Sequence, residues 1–419
     1  MSTLLPLRPR PSDRAAAPRL LSVVPYGPLK SAPSPDAAAT GGPPTLTPAP
    51  DTQTDLDRSA EDAAEQVAAL VRARAAEHPL APGTSVLETW TTLAGLGRED
   101  LTLGRLVEGH IDAVRILHEA GRTPIPGAVY GVWASASGGT GLTATAVGPA
   151  NSPSEGAFGA AQSNQATTGG TGGWSVDGVM RFCSGAWFID RALVVISAEE
   201  GKLLADVDVR AAQAPGGPLT RRDETWPAVG MDVTRSVDIE VRGLTLGPAD
   251  VVAEPGFYLD RPGFTVGGVG VAAVWLGGAA GVLDSLVRAL DGQASAHQQA
   301  HLGVMAATVA AADALLAEIA DRLDESAQEE PNRFSQNPSQ LLSSSDAGAA
   351  RSAVELAVEV VLRRAPRVSG ATGLCRNAAF AHRLADLEVY VRQHHAETDY
   401  EHLGRHLLAS GELLGRRFG

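Results

Sequence analysis

Two adjacent histidines, His394 and His395, sit in the run LEVYVRQHHAETDYEHLGRHLL, with Asp386 just ahead of it and Glu397 one helical turn beyond. An imidazole titrates near ~6.5, so it can take or give a proton at neutral pH as a general base must. On a helix the same pair is equally an exposed face. A glycine-rich turn in YGVWASASGGTGLTA (Tyr130 to Ala144) lets backbone approach a ligand closely, because glycine has no Cβ, and it also reads as a plain hairpin loop. Phe182 and Ser184 set an aromatic and a hydroxyl two residues apart, or simply a strand core residue and a turn residue. His110 and His297 fall in helical patterns, where histidines mostly pack or face solvent. Cys183 and Cys375 lie far apart in no metal-ligand spacing, so the sequence predicts neither a disulfide framework nor a metal site. Walker, Rossmann and Gly-x-Ser-x-Gly patterns are absent, which argues against a P-loop enzyme, a doubly wound nicotinamide dehydrogenase and an α/β-hydrolase.

These residues need a scaffold, and composition bounds it. The chain has 419 residues, 44% hydrophobic and 20% charged, enough for substantial cores and unlike a disordered or collagen-like protein. Aromatics are 5% against 46 glycines, so small aliphatic side chains must fill those cores. A net charge of -14 argues against nucleic acid or an anionic membrane as a partner recognised through a basic field. With no run approaching ~18 consecutive apolar residues and no N-terminal signal segment, a cytoplasmic location away from membranes is expected.

Residues 1–57 mix Pro, Ala, Ser and Thr without a hydrophobic period and are expected to form a disordered tail. A helical period then predicts an N-terminal helical domain over 58–127, with helices from Asp57 to about His78, Ser85 to Leu96 and Gly104 to Ala120. Over 128–260 the period shortens to that of strands in YGVWA, WSVDGVMRF, ALVVIS, LLADVDV and VDIEVRGLTL. A Gly/Ser/Thr/Asn-rich stretch, Gly148 to Gly173, reads as a mobile loop within it. Long Ala/Leu helices return over 261–419: Val269–Leu290, His297–Leu323, Ala347–Arg364 and Asn377–Ser410, the signature of a four-helix bundle.

This order, with two motifs, resembles the acyl-CoA dehydrogenase superfamily over about Leu87 to Leu408. GGWSVDGVMRFCSGAWFIDRALVV (Gly172 to Val195) is similar to the family's Gly-x-x-Leu-Asp-Gly-x-Lys, aromatic, Ile, Ser/Thr segment. WPAVGMDVTRSVDIEVRGLTLGPADVV (Trp226 to Val252) is similar to its Gly-Met-Arg, Ser/Thr, Asp-Val and Val-Pro turn. The resemblance implies a multi-domain α+β fold: an N-terminal helical domain, a central β-barrel domain and a C-terminal four-helix bundle. It implies FAD as cofactor, with Phe182 beside the flavin ring and Ser184 near N5. Trp133, Ala134, Gly139 and Thr140 match the loop that approaches flavin and substrate. The family's Arg-x-x-Phe-Gly element, which reaches a neighbouring subunit's cofactor, reads Gln299, Ala300, His301, Leu302, Gly303, so Gln299 replaces the arginine. Arg367 and Ala371 in RVSGATG stand at the Gln and one Gly of another cofactor turn, and Arg367 can supply the missing charge.

The family's catalytic Glu aligns with His394, while its alternative location falls near Val271. The implied reaction is α,β-dehydrogenation of an acyl thioester, with His394 taking the α-proton and electrons passing to an electron-transfer flavoprotein. The alternatives are a flavin-dependent monooxygenase on the same fold, served by a flavin reductase, and a non-catalytic binding or assembly member. The nearly all-round apolar run Val269 to Leu286 suggests a homodimer or homotetramer.

Overall fold

The computed structural model describes residues 65–76, 84–135, 141–147, 172–329, 342–413 and 416–417. The expected tail 1–57, Gly139, Thr140 and nearly all of the expected Gly148–Gly173 loop lie outside the described residues.

Three helices come first: α1 (residues 65–76), α2 (Val86–Glu99) and α3 (Leu101–Glu119). Ser85 caps α2 by accepting from Glu88 N, and Asp100 both ends α2 and caps α3 by accepting from Leu103 N at 2.8 Å. The carboxylate of Asp324, far along the chain, also accepts from Val86 N (2.7 Å) and Leu87 N (3.1 Å) at the start of α2. Helix α2 lies backbone to backbone along α6 (Phe264–Leu290) because both carry glycine at the seam. A Cβ at Gly97 would collide with the Val274 carbonyl, and one at Gly277 with the Ala94 carbonyl.

The five strands read from alternation are all present: β1 (Tyr130–Trp133), β3 (Gly173–Cys183), β4 (Arg191–Ala198), β5 (Gly201–Asp208) and β7 (Val237–Leu246). Two more, β2 (Leu142–Val147) and β6 (Leu219–Arg222), complete a seven-stranded sheet of order β1-β4-β2-β3-β7-β6, with β5 on the other edge of β4. A short helix, α4 (Val209–Ala212), follows β5. The expected barrel is corrected here. Strands β1 and β2 share one edge of β4 in parallel, at 130–133 against 191–194 and at 142–143 against 196–197. The outer strands β5 and β6 are joined by no described ladder, so the sheet is open.

After α5 (Phe257–Asp260), the described residues form five helices where four were expected: α6, α7 (Ala296–Glu329), α8 (Ser344–Arg376), α9 (Ala378–Tyr390) and α10 (Glu397–Ser410). Helix α8 runs past Pro366, and its one non-helical residue is Gly370 at φ 60. The expected last helix is two, because a 3-10 turn at Val391–Gln393 and a left-handed Ala396 (φ 44) interrupt it. Helix α6 is long and apolar enough by composition to cross a membrane, and here it forms the buried centre of the protein. Its all-round apolarity is therefore satisfied within one chain.

The layers are tied by side chains that satisfy helix ends and loops. Arg383 of α9 donates to the Arg98 and Glu99 carbonyls at the end of α2 (2.8 and 2.7 Å). Asp190 accepts from Val129 N (2.7 Å), Arg72 of α1 and Arg210 of α4.

Candidate functional site

Asp100 fixes the start of α3, and the helical period then puts Arg105, Glu108 and Asp112 along one face, with Gly109 leaving room beside them. These residues line a cavity of about 690 Å³ closed by β1, α6, α8 and α10. Its size suits a small organic molecule. Arg105 Nη1 pairs with Glu108 Oε2 at 2.8 Å, and both side chains are nearly buried. Burial pushes the Glu108 carboxyl up to about 7 against the opposing pull of Arg105, so it titrates near neutrality. The Tyr390 hydroxyl lies buried with no hydrogen-bond partner, and burial drives its pKa well up.

Arg261, 1% exposed, follows α5 and braces the opposite wall, 3.1 Å from both Asp112 and Glu119. Arg115 donates to the Gly263 carbonyl at 2.9 Å and so anchors the start of α6. From α8, Arg351 donates to the carbonyls of Gly268 and Gln393 and lies 4.8 Å over the Trp275 ring. One guanidinium thus joins α6, α8 and the break before α10. Along α10 and that break, His395, Asp399, His402 and His406 recur at helical spacing on the cavity side. Asp399 accepts from His395 N at 3.1 Å.

His394, the expected base, does not line this cavity. It is 2% exposed, Nε2 meets Ser352 Oγ at 3.0 Å and Nδ1 accepts from Ala396 N at 3.2 Å. With Nδ1 accepting, the proton is on Nε2 and both ring nitrogens are engaged. Burial lowers its pKa, so the ring is a neutral strut of the helix break. The left-handed Ala396 turns the chain there and brings His395 to the cavity in its place.

The residues expected around a flavin fall in two places. Trp133 and Ser184 meet directly, with the indole Nε1 donating to the Ser184 carbonyl at 3.0 Å, and Ala134 follows Trp133. A bulge in β3 between Met180 and Cys183 holds Phe182 at φ 57 and turns its ring outward, 52% exposed and edge-on to Trp226. Ser184 Oγ, Ser236 Oγ and Thr234 Oγ1 form a hydroxyl chain at 2.9 and 2.8 Å, ending on the Met231 carbonyl. Arg181 Nε is buried without a hydrogen bond and lies 3.9 Å from Asp238 Oδ2 as an ion pair. An exposed aromatic and a hydroxyl chain fit a planar, hydrogen-bonding cofactor. Strand alternation gives β1 a double role, Val132 lining the cavity and Trp133 facing this corner.

Gln299, Leu302, Arg367 and Ala371 lie elsewhere, at one end of the bundle. Gln298 Nε2 donates to the Val368 carbonyl at 2.9 Å, which holds the start of α7 against α8 there. Gln299, Arg367 and Ala371 are exposed and Leu302 half-buried. They do not join the Trp133–Ser184 corner within one chain.

The charged cavity wall of Arg105, Glu108, Asp112, Arg261 and Arg351 was not singled out by the sequence. The only signal was that Arg105, Glu108 and Asp112 interrupt an otherwise apolar helix, LTLGRLVEGHIDAVRIL.

No family model matches the chain, and no curated protein matches it. Solved structures do. TdsC from Paenibacillus sp. A11-2, in complex with FMN and indole, matches with a TM-score of 0.63 at 17% identity, covering 88% of this chain and 100% of that one. Methanesulfinate monooxygenase MsuC from Pseudomonas fluorescens matches at 0.61 and 15% identity, covering 84% and 97%. KijD3, in complex with FMN and a dTDP-linked amino-keto sugar, matches at 0.59 and 17% identity, covering 86% and 95%. The chain therefore has the acyl-CoA dehydrogenase-like fold of these structures, of which TdsC and KijD3 are in complex with FMN.

Proposed function

We propose that the protein is a flavin-dependent monooxygenase acting on a small molecule in the cavity between α3, α6, α8 and α10. The observation that carries this over acyl thioester dehydrogenation is the withdrawal of His394 into the helix break. Of the carboxylates lining the cavity, Glu108 and Asp112 are each held by an arginine, while Asp399 accepts from His395 N and pairs with the His394 and His395 rings. The likeness to flavin monooxygenase structures supports the same reading.

Trp133, Ala134, Phe182 and Ser184 would hold the flavin. Reduced flavin bound there would activate dioxygen and supply the oxygen atom transferred to substrate. Glu108, raised by burial to about 7, would hold an exchangeable cavity proton near neutral pH on the carboxyl whose Oε2 accepts from Arg105 Nη1. Arg261 and Arg351 fix the walls that orient substrate and exclude water. A separate flavin reductase is the partner this requires. FMN and FAD are both admitted, and FAD is the form the sequence resemblance implies. We also retain the homodimer or homotetramer, now on the exposed apolar face of α7 around Val304, Ala307 and Ala311 instead of α6.

Anaerobic titration with reduced FMN and reduced FAD tests the cofactor wall. One flavin per chain should bind, and Phe182→Ala should weaken binding by about three- to tenfold, the worth of an aromatic contact. Binding unchanged by that substitution would remove Phe182 from the site.

A further inference from the structure

Outside the cavity, His382 and Asp386 lie one turn apart on α9, and Asp232 starts the 3-10 turn Asp232–Thr234 that follows the left-handed Met231 on the sheet side. His382 Nε2 is 3.0 Å from Asp232 Oδ1 and 3.4 Å from Asp386 Oδ1, and the three ligand atoms lie within 4.8 Å of one another. Tetrahedral coordination at ordinary metal–ligand distances separates ligand atoms by about 3.4 Å. The spacing here is of that order.

Two further observations point to a cation. Asp232 Oδ1 is buried and receives no hydrogen bond, although its side chain is 46% exposed and His382 Nε2 lies within ion-pair distance at 3.0 Å. Asp386, with its side chain 8% exposed, accepts from Met231 N on Oδ1, which holds the carboxylate in place beside His382.

We propose that Asp232, His382 and Asp386 bind one divalent transition-metal ion that fastens the Met231–Arg235 turn of the sheet to α9 of the bundle. That turn leads into Ser236 and the hydroxyl chain of Ser184, so the ion would stiffen the flavin corner without touching it. The mixed oxygen and nitrogen donor set suits Zn²⁺, with water completing the shell. Asp232 lies far in sequence from the His382–Asp386 pair on α9, so the three together give no motif.

The test uses the full-length protein, stripped with chelator and titrated with Zn²⁺ against a chromophoric competitor. One ion per chain should bind and raise the melting temperature, and Co²⁺ in its place should give the intense visible bands of a tetrahedral site. His382→Ala and Asp232→Asn should each weaken binding by at least about a hundredfold while melting like the stripped parent. Asp232→Asn keeps the size of the side chain, so it serves if His382→Ala folds poorly. Absence of stoichiometric binding would overturn the proposal and leave His382 as an ion-pair bridge. So would Zn²⁺ affinity that both substitutions leave unchanged.

Discussion

Glu108 and His110, neighbours on α3, pull stability in opposite directions with pH. The Glu108 carboxyl is raised by burial to about 7, so its contribution is full below its ordinary pKa of 4.5 and is lost as pH rises through 7. His110 is lowered by burial to about 4, so its contribution is full above 6.5 and is lost as pH falls toward 4. Each effect is on the order of 3 kcal/mol across its window. Glu108→Gln should therefore abolish the loss of stability between about pH 4.5 and 7, and denaturant midpoints measured across that range check it. His110→Asn keeps an acceptor for the Tyr130 N–H, now 3.1 Å from Nδ1, and should abolish the loss on the acid side instead. An unchanged pH profile in either variant would contradict the assignment. Part of this site was legible from the chain alone. Of the residues singled out by motif, Trp133 and Ser184 meet through the Trp133 Nε1 bond to the Ser184 carbonyl, while the Phe182 ring turns outward onto Trp226. Arg105, Glu108 and Asp112 were not, because their spacing is that of any solvated helix stripe. Only the closing of α8 and α10 over them makes it a cavity wall.

Helix seams and breaks show where sequence patterns stop short. Alternation gave five strands. Strand β2 was hidden beside a glycine-rich stretch, and β6 has four residues, LTRR, with too little apolar content to declare itself. The break at 391–396 carries no glycine or proline, so the helical period runs through it, and His394 looked like part of a continuous face. The α2–α6 seam makes a paired prediction. Gly97→Ala should destabilise by about 1–3 kcal/mol, since its Cβ meets the Val274 backbone. Gly95→Ala, two residues away with nothing within 4 Å of the added atom, should stabilise by about 1 kcal/mol from helix propensity. Thermal melts of the two single variants against the parent give the signs, and equal shifts would contradict the close packing.

At the scale of the whole molecule, Asp324, Arg383 and Asp190 each bond across the boundary between the first helices and the sheet or bundle. Removing the Arg383 guanidinium strips its hydrogen bonds from α9 to the α2 carbonyls of Arg98 and Glu99. Arg383→Ala should therefore lower the melting temperature and loosen α2 to hydrogen exchange more than β4. Uniform loosening would show that this tie is not local. The open sheet and the five-helix bundle set the aromatic corner and the charged cavity on the two sides of β1, and the fold is one that flavin monooxygenases use. Oxygenation instead of acyl thioester dehydrogenation is the central claim, and one measurement separates the two most directly. Protein loaded with oxidised flavin is mixed anaerobically with acyl-CoAs of short, medium and long chain, and the flavin absorbance is followed. The account predicts no bleaching by any of them, with the same preparation capturing one reduced flavin per chain when a reductant is added. Bleaching of the oxidised flavin by an acyl-CoA would contradict it and restore the dehydrogenase.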